Sequence, residues 1–169
     1  VVQRRWPGFV EQKRFGLSLA RNEWVLNLDA DERVSPALRR EILACVRDGE
    51  TEVWGYYIPR LVYYLGRWWR HGWYPEYRLR LFRRSRVRWG GVDPHERAFL
   101  EDERRSRRLK GDIWHLTYRH LGNQIETINR FTSIAAREAA GRGKRFRWFN
   151  LVVNPGVHFI KFCLLKRGH

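Results

Sequence analysis

Methionine is missing from all 169 residues, position 1 included, and cysteine occurs only twice. Cys45 and Cys163 stand far apart in no metal-binding or redox spacing. A disulfide framework and a zinc ribbon are thereby excluded, and both residues read as small buried apolar groups in a reducing compartment. Acidic side chains are also scarce: 18 Asp and Glu face 34 Lys and Arg, for a net charge of +16. Such an imbalance calls for an anionic partner, whether phosphate, nucleic acid or an acidic membrane surface. Arginine supplies 29 of the basic residues, and its planar fork suits phosphate and carboxylate. No unbroken apolar run reaches the roughly twenty residues of a membrane span, since Asn150, Asn154, Pro155, His158 and Lys161 interrupt the last apolar stretch. No signal peptide and no internal repeat is visible. The opening at Val1-Val2-Gln3 reads as that of an N-terminally incomplete chain.

What is present reads as one α/β domain with a sizeable core. Residues 9–21 carry Phe9, Phe15, Leu17 and Leu19 near helical spacing, and Trp24 to Leu28 is a short β-rich run that ends at Asp29. A second helix is marked by Ser35 as N-cap and Pro36 at its first position, with Leu38, Ile42 and Cys45 on one face. Residues 53–65 read as a strand made irregular by Pro59. Residues 77–82 read as another, with Tyr77, Leu79 and Leu81 on one face and Arg78, Arg80 and Phe82 on the other. After Val87-Arg88-Trp89 comes a Gly90-Gly91 break, and residues 101–108 read as a charged surface loop. A helix is expected from about 121 to 140 with Ile125, Ile128, Thr132 and Ala135/Ala136 inward. Asn154-Pro155 predicts the start of a last, short helix, which either lies on a membrane or packs against the sheet.

The richest local signal is Trp24-Val25-Leu26-Asn27-Leu28-Asp29-Ala30-Asp31-Glu32. A buried strand here delivers two carboxylates, one residue apart, into a turn. Hard divalent cations take oxygen ligands, and a diphosphate supplies more of them, so this pair can hold a metal against a nucleotide diphosphate. In open α/β sheets ligands bind at that edge. A solvated acidic turn ahead of a helix is the bland alternative.

The run from Trp24 to Leu38 closely resembles the D-x-D region of family 2 glycosyltransferases, in the branch that includes lipopolysaccharide core glycosyltransferases. Trp6-Pro7-Gly8-Phe9 with Gln12-Lys13, Tyr74 to Arg84, Gly90-Gly91-Val92-Asp93-Pro94-His95-Glu96 and Trp114-His115-Leu116-Thr117-Tyr118 resemble further blocks of that branch, in the same order. The resemblance implies a GT-A (Rossmann-like) glycosyltransferase domain, N-terminally incomplete and with C-terminal helices. Residues 1–120 would be the partial catalytic domain and 121–169 its helical extension. It implies a nucleotide-sugar donor, a divalent cation (Mg²⁺ or Mn²⁺) and a saccharide acceptor of the lipopolysaccharide core or another lipid-linked kind.

Residue roles follow by that analogy. Asp31 would be the direct metal ligand, with Asp29 towards metal, ribose or donor sugar and Glu32 bracing the turn through Arg33 or a helix N-terminus. An acceptor hydroxyl needs a positioned carboxylate to take its proton, and Glu96 is the first candidate, with Asp93 the runner-up. Asp93 also has a turn-forming reading. His95 orients the base, touches donor phosphate or is structural, and His115 is either a metal or phosphate ligand or a structural histidine. Lys13 pairs with donor diphosphate or is a solvated helix lysine, and Arg78 with Arg80 could grip phosphate.

The segment from Tyr63 to Tyr74 interleaves aromatic and basic residues suited to sugar faces or lipid headgroups, and a core strand pair with a Trp-rich turn would account for about half of the rings. With the Arg67–Arg70 turn and the last helix bearing Lys161, Lys166 and Arg167, it predicts a cytoplasmic protein held peripherally on the anionic inner face of the cytoplasmic membrane. Two rival readings are a basic nucleic-acid-binding module and an inactive membrane-associated fragment. No nucleic-acid-binding motif is present, so nucleic acid is not an expected partner.

Overall fold

The computed structural model describes residues 2–49, 51–72, 74–92, 95–118, 120–143, 145 and 147–161. Asp93 and Cys163 lie outside the described residues, as does the side chain of His95. The elements run α1 (Phe9–Ser18), β1 (Trp24–Leu26), β2 (Glu32–Val34), α2 (Pro36–Asp48), β3 (Gly55–Tyr64), β4 (Arg67–Trp69), β5 (Glu76–Arg83), β6 (Val87–Val92), β7 (His95–Leu100), β8 (Ser106–Arg108), β9 (Ile113–Leu116), α3 (Leu121–Gly141) and α4 (Trp148–Ile160).

β3 is the spine of a mixed sheet ordered β1-β5-β3-β9-β2. Its β-branched and aromatic residues pair antiparallel with β5 and β4 along one edge and parallel with β8 and β9 along the other. Leu65 and Gly66 both have positive φ (48° and 83°), the conformation that suits a two-residue turn into β4. β6 and β7 form a separate hairpin. The mixed sheet with flanking helices is compatible with a Rossmann-like glycosyltransferase. α2 starts where its caps predict: the Ser35 hydroxyl accepts from the Leu38 amide at 3.2 Å, and Gly49 ends the helix in the left-handed region at φ 58°. Cys45 is half-buried against the core.

Two apolar clusters hold the sheet, and β5 feeds both. Leu81 joins Leu38, Tyr56, Ile58 and Ile113, whereas Leu79 joins Phe82, Trp89, Ala98 and Leu100. Strict alternation would have kept Leu79 and Leu81 on one face. The register explains the departure: Tyr56 pairs with Leu81 and Tyr57 with Leu79, so Arg80 is an extra residue in β5, a β-bulge that changes the phase of the strand.

Four further expectations are corrected. Gly90-Gly91 does not break the strand, since β6 runs through both glycines, which pair with Arg97 and Glu96. Residues 106–108 are not simply loop but form β8, because backbone pairing with Gly55–Tyr57 needs no apolar side chain. Pro155 sits inside α4 rather than in its first turn, the helix starting at Trp148. In α3 the half-buried stripe is Gln124, Thr127, Phe131 and Ile134, while Ile125 and Ile128 are exposed. Thr132, Ala135 and Ala136 are exposed as well, and α3 buries none of its residues fully.

Candidate functional site

The acidic turn lies between β1 and β2, and a buried carboxylate builds it. The Glu32 side chain is 0% exposed; it accepts from the Asp29 amide at 3.0 Å and from Arg80 Nη2 at 2.5 Å, with Arg60 Nη1 at 3.6 Å. A carboxylate taken fully out of water demands cationic partners, which Arg80 and Arg60 supply. Glu32 thus braces the turn, but through Arg80, Arg60 and a backbone amide rather than through Arg33 or a helix N-terminus. Backbone bonds complete the frame: the Glu32 amide donates to Asp29 O at 3.0 Å and the Leu116 amide to Asp31 O at 2.9 Å.

The bulge aims Arg80 into this frame. Arg80 is buried, and its Nη2 also donates to Asp29 Oδ2 at 2.7 Å. From the other side Lys13 Nζ donates to Asp29 Oδ1 at 2.6 Å and to Asn27 Oδ1 at 3.1 Å, 5.6 Å from the centre of the Trp89 ring. α1 is held for this by Arg14, which donates from Nε and Nη2 to the Trp89 carbonyl, each at 3.1 Å. Both Asp29 oxygens are therefore engaged by cations. Burial pushes its carboxyl up, but Arg80 and Lys13 outweigh that and hold it down at about 2.

Asp31 differs. Its carboxylate is about half exposed, and Oδ2 lies 3.1 Å from His115 Nε2. The hydrogen bond from His115 keeps the Asp31 carboxyl below its usual value. β2 and β9 set this pair, since Glu32 and His115 are register partners. Among the described residues no three Asp, Glu, His or Cys side chains converge as a metal cluster. What faces outward is the Asp31 carboxylate; His115 beside it is 15% exposed, with Nε2 turned to Asp31 and Nδ1 buried without a hydrogen-bond partner among the described residues. A carboxylate oxygen suits a divalent cation that completes its shell with diphosphate and water oxygens, and His115 could join it only by giving up its hydrogen bond to Asp31.

A cleft of about 670 Å³ opens over the turn, and Lys13, Asp29, Arg80 and Glu96 all line it. Arg60, Arg78 and Arg97 add to the wall, so five cations meet two carboxylates there. A second cleft of about 720 Å³ shares Arg60 and is lined by His115, Tyr74, Tyr118, Thr117 and Glu76. Glu76, on the second cleft, reaches two arginines of the first. It accepts from Arg60 Nε at 2.9 Å and from Arg78 Nε at 3.0 Å, and these arginines overcome its burial to lower its pKa.

The fold thus brings Lys13, Asp29, Arg80 and Glu96 to one cleft and sets Asp31 against His115. Sequence reasoning missed Arg60, Glu76 and the buried role of Glu32. One signal was available: Arg60 is a lone charge inside a buried apolar strand, and such a charge needs a partner.

No protein-family model matches the chain. It is 28% identical, over 92% of its length, to lipopolysaccharide core biosynthesis glycosyltransferase LpsC of Rhizobium meliloti, of which that match covers 58%. It is 25% identical, over 99% of its length, to an uncharacterized glycosyltransferase of Rickettsia typhi, 60% of which is covered. Another uncharacterized glycosyltransferase, from Rickettsia conorii, is 55% identical over 42 residues, 25% of this chain and 15% of that protein. The chain spans about three-fifths of the length of the first two relatives. Along nearly its whole length, then, this chain is similar to proteins named glycosyltransferases, one of them named for lipopolysaccharide core biosynthesis.

Proposed function

We propose that this chain carries the acidic turn and catalytic base of a metal-dependent, inverting family 2 glycosyltransferase of GT-A fold. It moves a sugar from a nucleotide-sugar donor to a hydroxyl of a lipopolysaccharide core or other lipid-linked saccharide. The observation that carries the reading is the single cleft in which Asp29, clamped by Lys13 and Arg80, shares a wall with Glu96.

The acceptor oxygen attacks the anomeric carbon as the bond to the diphosphate oxygen breaks, and the electron pair leaves with the diphosphate. Glu96 takes the acceptor proton, which a free hydroxyl cannot lose unaided near neutral pH. Lys13, Arg78, Arg80 and Arg97 give the cleft the fixed positive field that a departing diphosphate needs. Asp29 holds two of these cations in place. Asp31 and His115 would hold Mg²⁺ or Mn²⁺, which when bound supplies Lewis-acid stabilisation of the leaving group.

The test is a nucleotide-sugar screen on the full coding product with a lipopolysaccharide-core acceptor, read by product mass and anomeric configuration. Transfer with inversion supports the reading. Transfer with retained configuration removes the base role of Glu96, and absence of transfer from every donor removes the assignment.

A further inference from the structure

α4 turns its apolar residues outward. Phe149, Leu151, Val157, Phe159 and Ile160 are each more than half exposed, Phe149 to 71% and Phe159 to 70%. At 3.6 residues per turn they spread over a broad arc, whereas Asn154, His158 and Lys161 fall on one narrow stripe. No helix among the described residues is long and apolar enough to cross a membrane. The charge pattern of the same segment is one-sided: residues 139–169 contain seven Lys and Arg and no Asp or Glu. Exposed Arg145 and Arg147 precede the helix and exposed Lys161 follows it.

We infer that α4 is an in-plane membrane anchor, its apolar arc sunk in the headgroup–acyl boundary of an anionic bilayer and its flanking cations among lipid phosphates. Two observations select this occupant. The arc is made of Phe and aliphatic side chains with a cation at each end, the pattern of an interfacial helix. A second copy of the chain would set seven cations against seven, and an apolar protein surface would leave them without counter-charge, whereas anionic headgroups neutralise them. The Trp68–Trp69 end of β4 is the lesser contact. Trp68 packs on Tyr63 and Trp114 with ring centres 4.9 and 5.7 Å apart, and Trp69 Nε1 donates to the Tyr64 carbonyl at 3.1 Å.

The test is vesicle co-sedimentation of the full coding product, a readout independent of sugar transfer. Vesicles are pure phosphatidylcholine or contain about 30% phosphatidylglycerol, and salt is stepped from about 50 to about 500 mM. Binding is expected only with the anionic lipid and should weaken as salt rises. Phe149→Ser/Leu151→Ser/Phe159→Ser should weaken it at least tenfold with unchanged circular dichroism, as these side chains are already exposed. Arg145→Gln/Arg147→Gln/Lys161→Gln should lose the preference for anionic lipid. Equal binding to neutral vesicles, or none to anionic ones, overturns the inference. So does dimerisation of the wild type that the triple serine variant abolishes, or protection of α4 from hydrogen exchange in the lipid-free full product.

Discussion

The acidic turn and the C-terminal helix solve opposite problems with the same kind of chain. Around β1, β2 and β5, charged side chains, from fully buried Glu32 to half-exposed Arg78, are matched partner by partner: Glu32 to Arg80 and Arg60, Asp29 to Lys13 and Arg80, Glu76 to Arg60 and Arg78. Along α4, apolar side chains are exposed and the cations around them have no acidic residue nearby in sequence. A buried ion network is costly to assemble and gains little net stability over apolar packing, so its retention points to pre-organised chemistry. An exposed apolar helix is costly in water and points to a surface that water does not occupy. The two regions should therefore respond differently to the same class of substitution.

The largest effect is expected at the one acidic-turn carboxylate left half open. Asp31→Asn removes a charged donor from beside His115 without emptying space, so the melting temperature should stay close to wild type. Transfer should nonetheless fall by a thousandfold or more, since stabilising the leaving diphosphate is worth several kcal/mol of barrier. Normal turnover in that variant, or full activity in excess chelator, would remove the metal-assisted reading. Glu96→Gln comes next. It keeps shape and polarity but takes no proton, for an expected loss of roughly a hundredfold to ten-thousandfold with donor affinity retained. Should Asp93→Asn be the crippling change and Glu96→Gln mild, the base is Asp93.

Much of this frame is legible in the sequence because local physics writes it there. Ser35 and Pro36 announce α2, β-branched and aromatic runs announce β3 and β5, and the apolar strand before Asp29 delivers the carboxylates. What is not legible depends on register between distant residues. The bulge that aims Arg80 exists only in the pairing of β5 with β3. Glu32 and Arg60 meet because β9 lies between β2 and β3 in the sheet, which no local pattern encodes. β8 hides in the sequence because EDERRSRR has a loop's composition, while its pairing with β3 uses backbone alone. For α3 the helical period is right but Gln124, Phe131 and Ile134 face the body instead of Ile125 and Ile128, since Tyr64 donates to Gln124 and Phe9 meets Phe131 edge-on at 6.1 Å.

A stability measurement sharpens the same comparison. Glu32→Gln leaves Arg80 and Arg60 with less counter-charge in a buried setting, a change expected to cost about 2–4 kcal/mol and to lower the melting temperature by roughly 5–15 °C. Ile128→Ser, at an exposed site on α3, should stay within about 0.5 kcal/mol of wild type. Equal shifts for the two would mean that the charge network is not the structural element described above.

A smaller effect than that of Glu32→Gln, and one that separates the two regions by pH alone, belongs to Asp29. Its carboxyl sits at about 2 in the folded chain against an ordinary value of 3.8. A depressed folded pKa means that the unfolded chain binds the proton more readily, so the contribution is fully present above about pH 4 and is lost as pH falls through about 2. Asp31 and Glu76, both also lowered, act in the same direction. The Asp29 side chain is 37% exposed, so solvent screening reduces its share to about 1 kcal/mol. Urea unfolding followed from pH 5 to pH 2 should show that decline in wild type and a shallower one in Asp29→Asn, which has no carboxyl to titrate. Hydrogen exchange resolved by segment should place the acid-induced loosening at β1, β2 and β5. Residues 139–161 have no carboxylate side chain and should exchange alike across the window once intrinsic rates are corrected. An Asp29→Asn curve parallel to wild type would show that Lys13 and Arg80 do not hold this carboxylate in solution as they do in the structure.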